Sequence, residues 1–277
     1  MVQRAGSGAD SYPVASVNRR QRENLAARES ERWRPPTFAP VTGIRGRFGA
    51  AVRRFFDPQA GSIWRDLTGP LSQARGTVVD VGCGAQPYRR LLPDTTEYIG
   101  LDTERAQEDF GYSMPDVLPI GEDGRWPLAD AKADVVLATE TLEHVVDPAA
   151  FLAEARRCLR PSGRIMLTVP FAARWHYIPH DYWRFTPASL RMLLEGAGFA
   201  EVIVHARGNE TTVAAYKLLS LLWPAVLPQN ESGSVRLSPL VLPAAPVVIA
   251  LALAANRSLR APAGDDCLGY TAFAVRR

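Results

Sequence analysis

The sequence predicts an α/β fold, a doubly wound and mostly parallel sheet with helices on both faces. Three observations carry this. The short apolar run Thr77-Val78-Val79 leads into Asp80-Val81-Gly82-Cys83-Gly84, where two glycines permit a tight turn. A second run, Tyr98-Ile99-Gly100-Leu101, ends in Asp102, twenty residues past Gly82. From Thr77 onward, apolar runs of strand length alternate with segments of helical periodicity, as in parallel strands joined by crossover helices.

Taken in order, strands are predicted near residues 77–81, 97–101, 134–138, 164–169 and 201–205, with a last one at 270–275. Helices are predicted near 87–92, 148–159 and 187–196. The third helix is the best punctuated. Thr186 is its N-cap, Pro187 its first helical residue, Leu190, Leu193 and Leu194 share one face, and Gly196 and Gly198 close it. Much of Phe185-Thr186-Pro187 is therefore helix punctuation.

Both flanks extend this core. The organisation read from the sequence is an N-terminal extension (1–60), a core (61–208), an apolar helical insert (209–266) and a final core strand (267–277). Residues 1–60 hold eleven Arg against five acids, a balance of +6 in a chain of net +3. Polar, proline-bearing sequence from Val2 to Pro40 reads as disordered or loosely helical. Within Ile44 to Phe56, Ile44, Phe48, Val52 and Phe55 recur at helical spacing between Arg45, Arg47, Arg53 and Arg54. Such a basic amphipathic helix fits an anionic membrane surface, and equally a helix docked on the core. In the insert, Val213 to Leu227 is apolar, and Leu237 to Ala255 runs nineteen residues without a charge. Pro239, Pro243 and Pro246 are expected to break the first half of that stretch, leaving Val247 to Ala255 as clean helix. A single membrane crossing would strand the 270–275 strand on the wrong side. The expectation is a helical hairpin at a membrane interface or over the substrate cleft.

Composition sets further bounds. A chain of 277 residues with 47% hydrophobic content buries a sizeable core. Cys83, Cys158 and Cys267 are too few and scattered for a disulfide framework or a metal site, so a reducing, cytoplasmic setting is expected, with peripheral attachment to the inner face of the membrane as an option. No signal-peptide pattern is visible before Ala60. Nucleic acid is disfavoured as a partner, because the positive charge lies in a tail rather than in a stripe through the domain.

The glycine turn narrows the ligand. Glycines at 82 and 84 let backbone approach a bound molecule, and Asp102 is positioned for two ribose hydroxyls. Position 87, where a dinucleotide site has a third glycine, holds Pro87, which removes an N–H and adds bulk beside a pyrophosphate. Asp80, two residues before the first glycine, suits a ligand with an amino group and a sulphonium beside its carboxylate. That ligand is S-adenosylmethionine (SAM).

On these residues the chain resembles the class I SAM-dependent methyltransferases, from about Thr77 to about Val204. It is similar to the type 11-like branch with a GCGxxPY loop. The matching stretches are Val79 to Gly84, Tyr98 to Asp102, Ala133 to Leu137 with Leu142-Glu143-His144-Val145, and Leu159 to Arg164. A further stretch, His180-Asp181-Tyr182-Trp183-Arg184-Phe185-Thr186-Pro187, resembles a motif of members associated with polysaccharide or lipid-linked sugar assembly. The resemblance implies a Rossmann-like fold with SAM held by Asp80, Gly82, Cys83, Gly84, Tyr88, Asp102, Asp123, Trp126 and Glu140. Within Glu122 to Leu128, Asp123 is chosen over Glu122 as the acid meeting the adenine amino group. Cys83 is read as a small residue that fits the turn, not as a nucleophile.

Ligands in such sheets sit outside the carboxyl ends of the strands, so residues 140–144 and 174–184 are expected to hold the acceptor. Methyl transfer from a sulphonium is an in-line displacement. Orientation supplies roughly 7–11 kcal/mol, whereas a general base contributes about 10²–10⁴-fold. Three of the four histidines, His144, His176 and His180, fall in these loops and are the candidate catalytic residues. Each has a plainer reading. His144 belongs to a stretch that often packs in this fold. His176 lies between Trp175 and Tyr177, which with Asp181, Tyr182 and Arg184 form the expected acceptor wall. His180 and Asp181 form either a base oriented by its carboxylate or an anchor for Arg184. No ligand spacing supports a metal, although Asp181, His180 and Glu140 are of the right types. His205, in a predicted strand, is read as structural.

The reading that results is a SAM-dependent O-methyltransferase acting on a hydroxyl of a glycan, glycolipid or hydrophobic small molecule, lipid-linked acceptors included. Two alternatives stand beside it. A methyltransferase for RNA or protein requires a basic groove that the sequence does not display. A non-catalytic membrane-associated assembly protein would keep the fold without needing His176 or His180.

Overall fold

The computed structural model describes residues 41, 43–105, 114, 116–177, 180–230 and 234–277. The expectation for Val2 to Pro40 lies outside them, as do positions 178 and 179 of the acceptor loop.

Two helices lead in, α1 (Gly43–Phe56) and α2 (Pro58–Ser72). The core then runs β1 (Thr77–Val81), β2 (Glu97–Asp102), β3 (Val117–Pro119), β4 (Ala133–Thr139), α3 (Pro148–Cys158), β5 (Leu159–Pro170), α4 (Pro187–Gly196) and β6 (Phe199–Arg207). A helical pair, α5 (Glu210–Val226) and α6 (Val241–Ser258), precedes the final strand β7 (Gly269–Arg276). The seven strands lie in the order β3-β2-β1-β4-β5-β7-β6. β1 to β5 pair in parallel, and β7 inserts antiparallel between β5 and β6.

Every residue of β1 is buried, because the central strand is covered on both faces. Alternation along it and β4 separates two cores. Val79, Val81, Val136 and Ala138 meet Phe151, Leu152 and Ala155 of α3 and Leu190 and Leu194 of α4. Val78, Val135 and Leu137 meet Ile63, Leu67 and Leu71 of α2. The helix starts are chemically marked. Asp57 accepts from the amides of Gln59 and Ala60, Asp147 from Ala149 and Ala150, and proline follows each cap. Thr186 and Ser189 form the capping box that opens α4, with Pro187 next, as its sequence predicts.

Several expectations are corrected. The helix expected at 87–92 is a single 3₁₀ turn, Arg89–Leu91. Pro87 and Pro93 bracket that segment, and its amides bond three residues back, as Leu91 N does to Tyr88 O (2.9 Å). α2 and β3 went unpredicted, although Asp57-Pro58 carries the start signal of α2. Gly61, Gly69 and Pro70 blur its period, and β3 is three residues long. The prolines do not break the insert as expected, and α6 begins at Val241. Pro243 falls in the first turn, where amides have no helical partner, and Pro246 forgoes only the bond to the Leu242 carbonyl.

α5 and α6 pack together as an antiparallel hairpin, joined at its base by Thr212 Oγ1 and Ser258 Oγ (2.6 Å). α1 docks against it. Asn256 Nδ2 donates to the Phe55 carbonyl (2.8 Å), and Phe56 meets Trp223 edge to face. Arg54 and Arg90 each stack on Trp64, fixing α1 to the core as well. α6 is also the one helix among the described residues long and apolar enough to cross a membrane. It packs on α5 and touches α1 and α2, with 22% of that stretch buried.

Candidate active site

The carboxyl ends of β1, β2, β4 and β5 meet in one cleft region. Gly82 and Gly84 both adopt positive φ (68° and 51°), which a side chain would strain. A Cβ on Gly82 would lie 2.5 Å from Thr141 Oγ1, and none of the protein stands within 4 Å of one on Gly84. The turn is tied to β2 through Gly82 N and Cys83 N, both donating to the Leu101 carbonyl (2.8 and 3.1 Å). Asp102 accepts from Gly84 N (3.0 Å) and Thr103 N (2.8 Å), which fixes its carboxylate beside the glycines. Asp80 is buried. Its Oδ2 accepts from Tyr98 Oη (2.7 Å), while Oδ1 has no protein partner. Burial, reinforced by the charge of Asp102 and opposed by the Tyr98 bond, pushes its carboxyl up to about 7. An orphaned buried oxygen beside an open glycine cradle fits the ammonium and carboxylate end of SAM.

The other residues expected at the cofactor lie in several settings. Cys83 is buried and burial raises its thiol, so it is inert as a nucleophile. Tyr88 packs into the core beside Trp64. Trp126 is 2% exposed against Phe151, held by Glu154 and Arg157 of α3. Asp123 lies in an exposed turn and accepts from Arg125 N (3.0 Å). Glu140, at positive φ, is clamped by Gln59 Nε2 (2.7 Å) and Arg207 Nη2 (2.9 Å).

Across the cleft, Thr141 links the two halves by donating to the Val81 carbonyl (3.2 Å). The 3₁₀ turn Leu142–His144 then sets Glu143 and His144 under the loop that follows β5. Tyr182 N and Trp183 N both donate to the Glu143 carbonyl, closing that loop onto it. His144 Nδ1 bonds the His180 carbonyl (2.7 Å); since a carbonyl only accepts, the network assigns the proton to Nδ1. Asp181 does not orient its neighbour His180. It receives both guanidinium nitrogens of Arg184 (2.6 and 2.7 Å) and pairs with His176 Nδ1 (3.1 Å). His180 Nδ1 turns instead to Tyr182 Oη (2.9 Å). Of the two readings open in the sequence, the contacts match Asp181 as an anchor for Arg184, and the histidine that it meets is His176 rather than its neighbour His180.

The electrostatics follow from these contacts. Burial, then the neighbouring His176, lowers His144 to about 4. Burial opposes the charged form of His176 too, but the Asp181 carboxylate outweighs it and raises the imidazole. Arg184 and His176 overcome burial at Asp181 and hold it well below the usual carboxylate range. Glu143 is fully buried, neither oxygen has a hydrogen-bond partner, and desolvation with the nearby Glu140 charge pushes it well up. Trp175, Tyr182 and Trp183 of the same loop are exposed, Tyr182 meets His180, and Tyr177 meets His144 edge to face. His205 bonds Asp66 (3.0 Å) and stacks on Phe273, as a structural residue would. Sequence reasoning missed Gln59 and Arg207, whose common partner Glu140 is distant in sequence from both. It also missed Glu143 as a side chain in its own right.

A family model described as a methyltransferase domain matches residues 53–204, more than half of the chain. The chain belongs to that family, the class I SAM-dependent methyltransferases, whose cofactor is SAM. Among relatives, it is 30% identical to a probable S-adenosylmethionine-dependent methyltransferase of Mycolicibacterium smegmatis, over 59% of this chain and 66% of that one. It is 32% identical to a ubiquinone biosynthesis O-methyltransferase of Cereibacter sphaeroides, over 50% of this chain and 66% of that one. The chain spans less than two thirds of these relatives, and 32% of an uncharacterized 37.1 kDa transposon protein of Streptomyces fradiae. Among solved structures, a SAM-dependent methyltransferase from Archaeoglobus fulgidus aligns with a TM-score of 0.48 at 20% identity, covering 83% of this chain and 99% of that one.

Proposed function

We propose that this chain transfers a methyl group to a hydroxyl of a hydrophobic acceptor, a lipid-linked glycan, glycolipid or lipophilic small molecule, at an anionic membrane surface. The observation that carries this reading is the loop after β5, which exposes Trp175, Tyr182 and Trp183 and, through Tyr177 edge to face with His144, sets an aromatic ring against imidazoles held in one tautomer by Asp181 and the His180 carbonyl. Aromatic faces suit a sugar or ring, and the imidazoles suit a hydroxyl beside it. The name of the ubiquinone relatives, an O-methylation in the biosynthesis of a lipophilic molecule, is in keeping with it.

Bound SAM supplies an activated methyl on a sulphonium. Asp80 takes the cofactor's ammonium on its orphaned Oδ1, Asp102 takes the ribose hydroxyls, and Gly82 and Gly84 let the backbone run alongside. Glu140 braces the cleft through Gln59 and Arg207 rather than meeting the adenosine. Arg184 and Asp181 hold His176 in place, and His144 and His176 each keep an Nε2 lone pair that these bonds do not use.

Support for the membrane comes from the helical layer. Ile44 and Phe48 of α1 are 82% and 71% exposed, and Leu242 and Leu253 of α6 are 84% and 55% exposed. Arg45 and Arg47 are exposed on the same α1, and α1 contacts α6. An apolar crest with arginines and without acids suits anionic headgroups. The test is release of S-adenosylhomocysteine from SAM with lipid-linked and free acceptors, with and without anionic vesicles. Turnover confined to lipophilic acceptors and raised by vesicles is expected; turnover on water-soluble acceptors alone would overturn the reading.

A further inference from the structure

We infer that Glu143, His144 and His176 form a binding site for a late first-row divalent metal ion of the zinc class. Each offers one ligand atom, and the three atoms lie within 4.8 Å of one another. The trio differs from the one its residue types offered in the sequence. Asp181 is committed to Arg184 and His176, and Glu140 to Gln59 and Arg207.

Three features beyond proximity point to an ion. Glu143 is 0% exposed, and neither carboxylate oxygen has a hydrogen-bond partner. Buried carboxylates are ordinarily paired, bonded or coordinated, so this one lacks a counterpart that a cation would supply. His144 bonds the His180 carbonyl through Nδ1, and its Nε2 lies 3.6 Å from Glu143 Oε1, on the side of the carboxylate. His176 bonds Asp181 and the Arg174 carbonyl through Nδ1, leaving Nε2 for the ion. A carbonyl behind one imidazole and a carboxylate behind the other is the outer arrangement that orients metal-binding histidines. Both imidazoles are partly exposed, which gives an ion and a further ligand a way in.

Two imidazoles and one carboxylate suit Zn²⁺ or a neighbouring ion, and three protein ligands leave a position open. Resting on the hydroxyl-methylation reading, that position takes the acceptor oxygen. The hydroxyl proton leaves to water, the oxygen–carbon bond forms as the carbon–sulphur bond breaks, and sulphur keeps the electron pair. The two lone pairs then act as ligands rather than as bases.

The test is a titration of the full chain, stripped with chelator, with Co²⁺ followed by its visible d–d bands, then competition with Zn²⁺. A one-to-one cobalt complex displaced by zinc is expected, with affinity lowered at least about tenfold in Glu143→Gln and in His176→Ala. SAM affinity, measured by calorimetry on the same samples, reports the cofactor half independently. Wild-type protein that binds SAM but gives no cobalt spectrum overturns the metal site and leaves the methyltransferase reading standing. Cobalt binding undiminished in both variants overturns it as well. Because Glu143→Gln alters a buried position, His176→Ala on the partly exposed loop decides the matter if the first variant fails to bind SAM.

Discussion

Asp80, Gly82, Gly84 and Asp102 come from one strand–turn–strand unit, and adjacent parallel strands align them by register alone. Glu143, His144, His176 and Asp181 come from loops after two different strands. They meet because backbone bonds from Tyr182 and Trp183 to Glu143, and the bond of His144 to the His180 carbonyl, pull one loop onto the other. The cofactor half is thus local and preorganised by the sheet, whereas the acceptor half is held by side chains that hold one another. A fault in the first should remove binding, and a fault in the second should misalign a site that still binds cofactor.

The sharpest break is expected from Asp102→Ala. Losing a carboxylate placed for two ribose hydroxyls costs about 3 kcal/mol or more, on the order of a hundredfold or greater in SAM affinity. Calorimetric titration checks it, and unchanged affinity would remove the ribose assignment. Asp181→Asn should do the reverse, lowering turnover by about a hundredfold while SAM affinity stays within about twofold, since it loosens His176 and Arg184 but touches no cofactor contact. Steady-state kinetics beside the same titration separates the two halves.

A pH series sharpens the contrast further. The Asp80 carboxyl, pushed by burial up to about 7 and far above an ordinary aspartate, stays protonated in the ligand-free fold where the unfolded chain has already lost its proton. The stability it contributes is therefore full at low pH and is lost as pH rises from about 4 to about 7. An ammonium ligand favours the ionised form, so SAM affinity should rise with pH between about 5.5 and 7, by at most about tenfold per unit. Asp80→Asn should bind more weakly and with no such slope; a slope surviving that change would place the titrating group elsewhere. The smallest structural effect is expected in the helical layer. Leu253→Ser and Phe48→Ser, both at exposed positions, should change unfolding free energy by no more than about 0.5 kcal/mol, yet should abolish flotation with anionic vesicles. Flotation retained in the double variant would detach the membrane reading from that crest.

The same contrast explains what could be read in advance. The glycine turn and Asp102 are legible because strand, turn and acid are contiguous and their period is plain. Thr186-Pro187 is legible because a cap is local chemistry. The Asp181–Arg184 anchor is legible as one of two readings because its residues are three apart, whereas the Asp181–His176 pair is not, since only the folded loop brings His176 to that carboxylate. Arg207 is hidden for a related reason. It closes β6 as one more strand-end residue, and its half-buried ion pair with Glu140 spans 67 positions. α6 misled in the other direction, because proline's effect depends on where the helix begins, and the nineteen uncharged residues do not mark that point.

The hairpin of α5 and α6 has a consequence for how the sheet is completed. β6 pairs with β7 alone, and β7 follows only after the whole insert. Left flexible, so long a connection would carry a large closure entropy before the first β6–β7 bond formed. The hairpin removes most of that search. Its base is pinned by Thr212 and Ser258, and Leu268 N reaches the Arg207 carbonyl (3.0 Å) where the two strands meet. The apolar insert is thereby a folding splint that turns a distant strand pairing into a near one, so weakening it should slow refolding before it lowers stability.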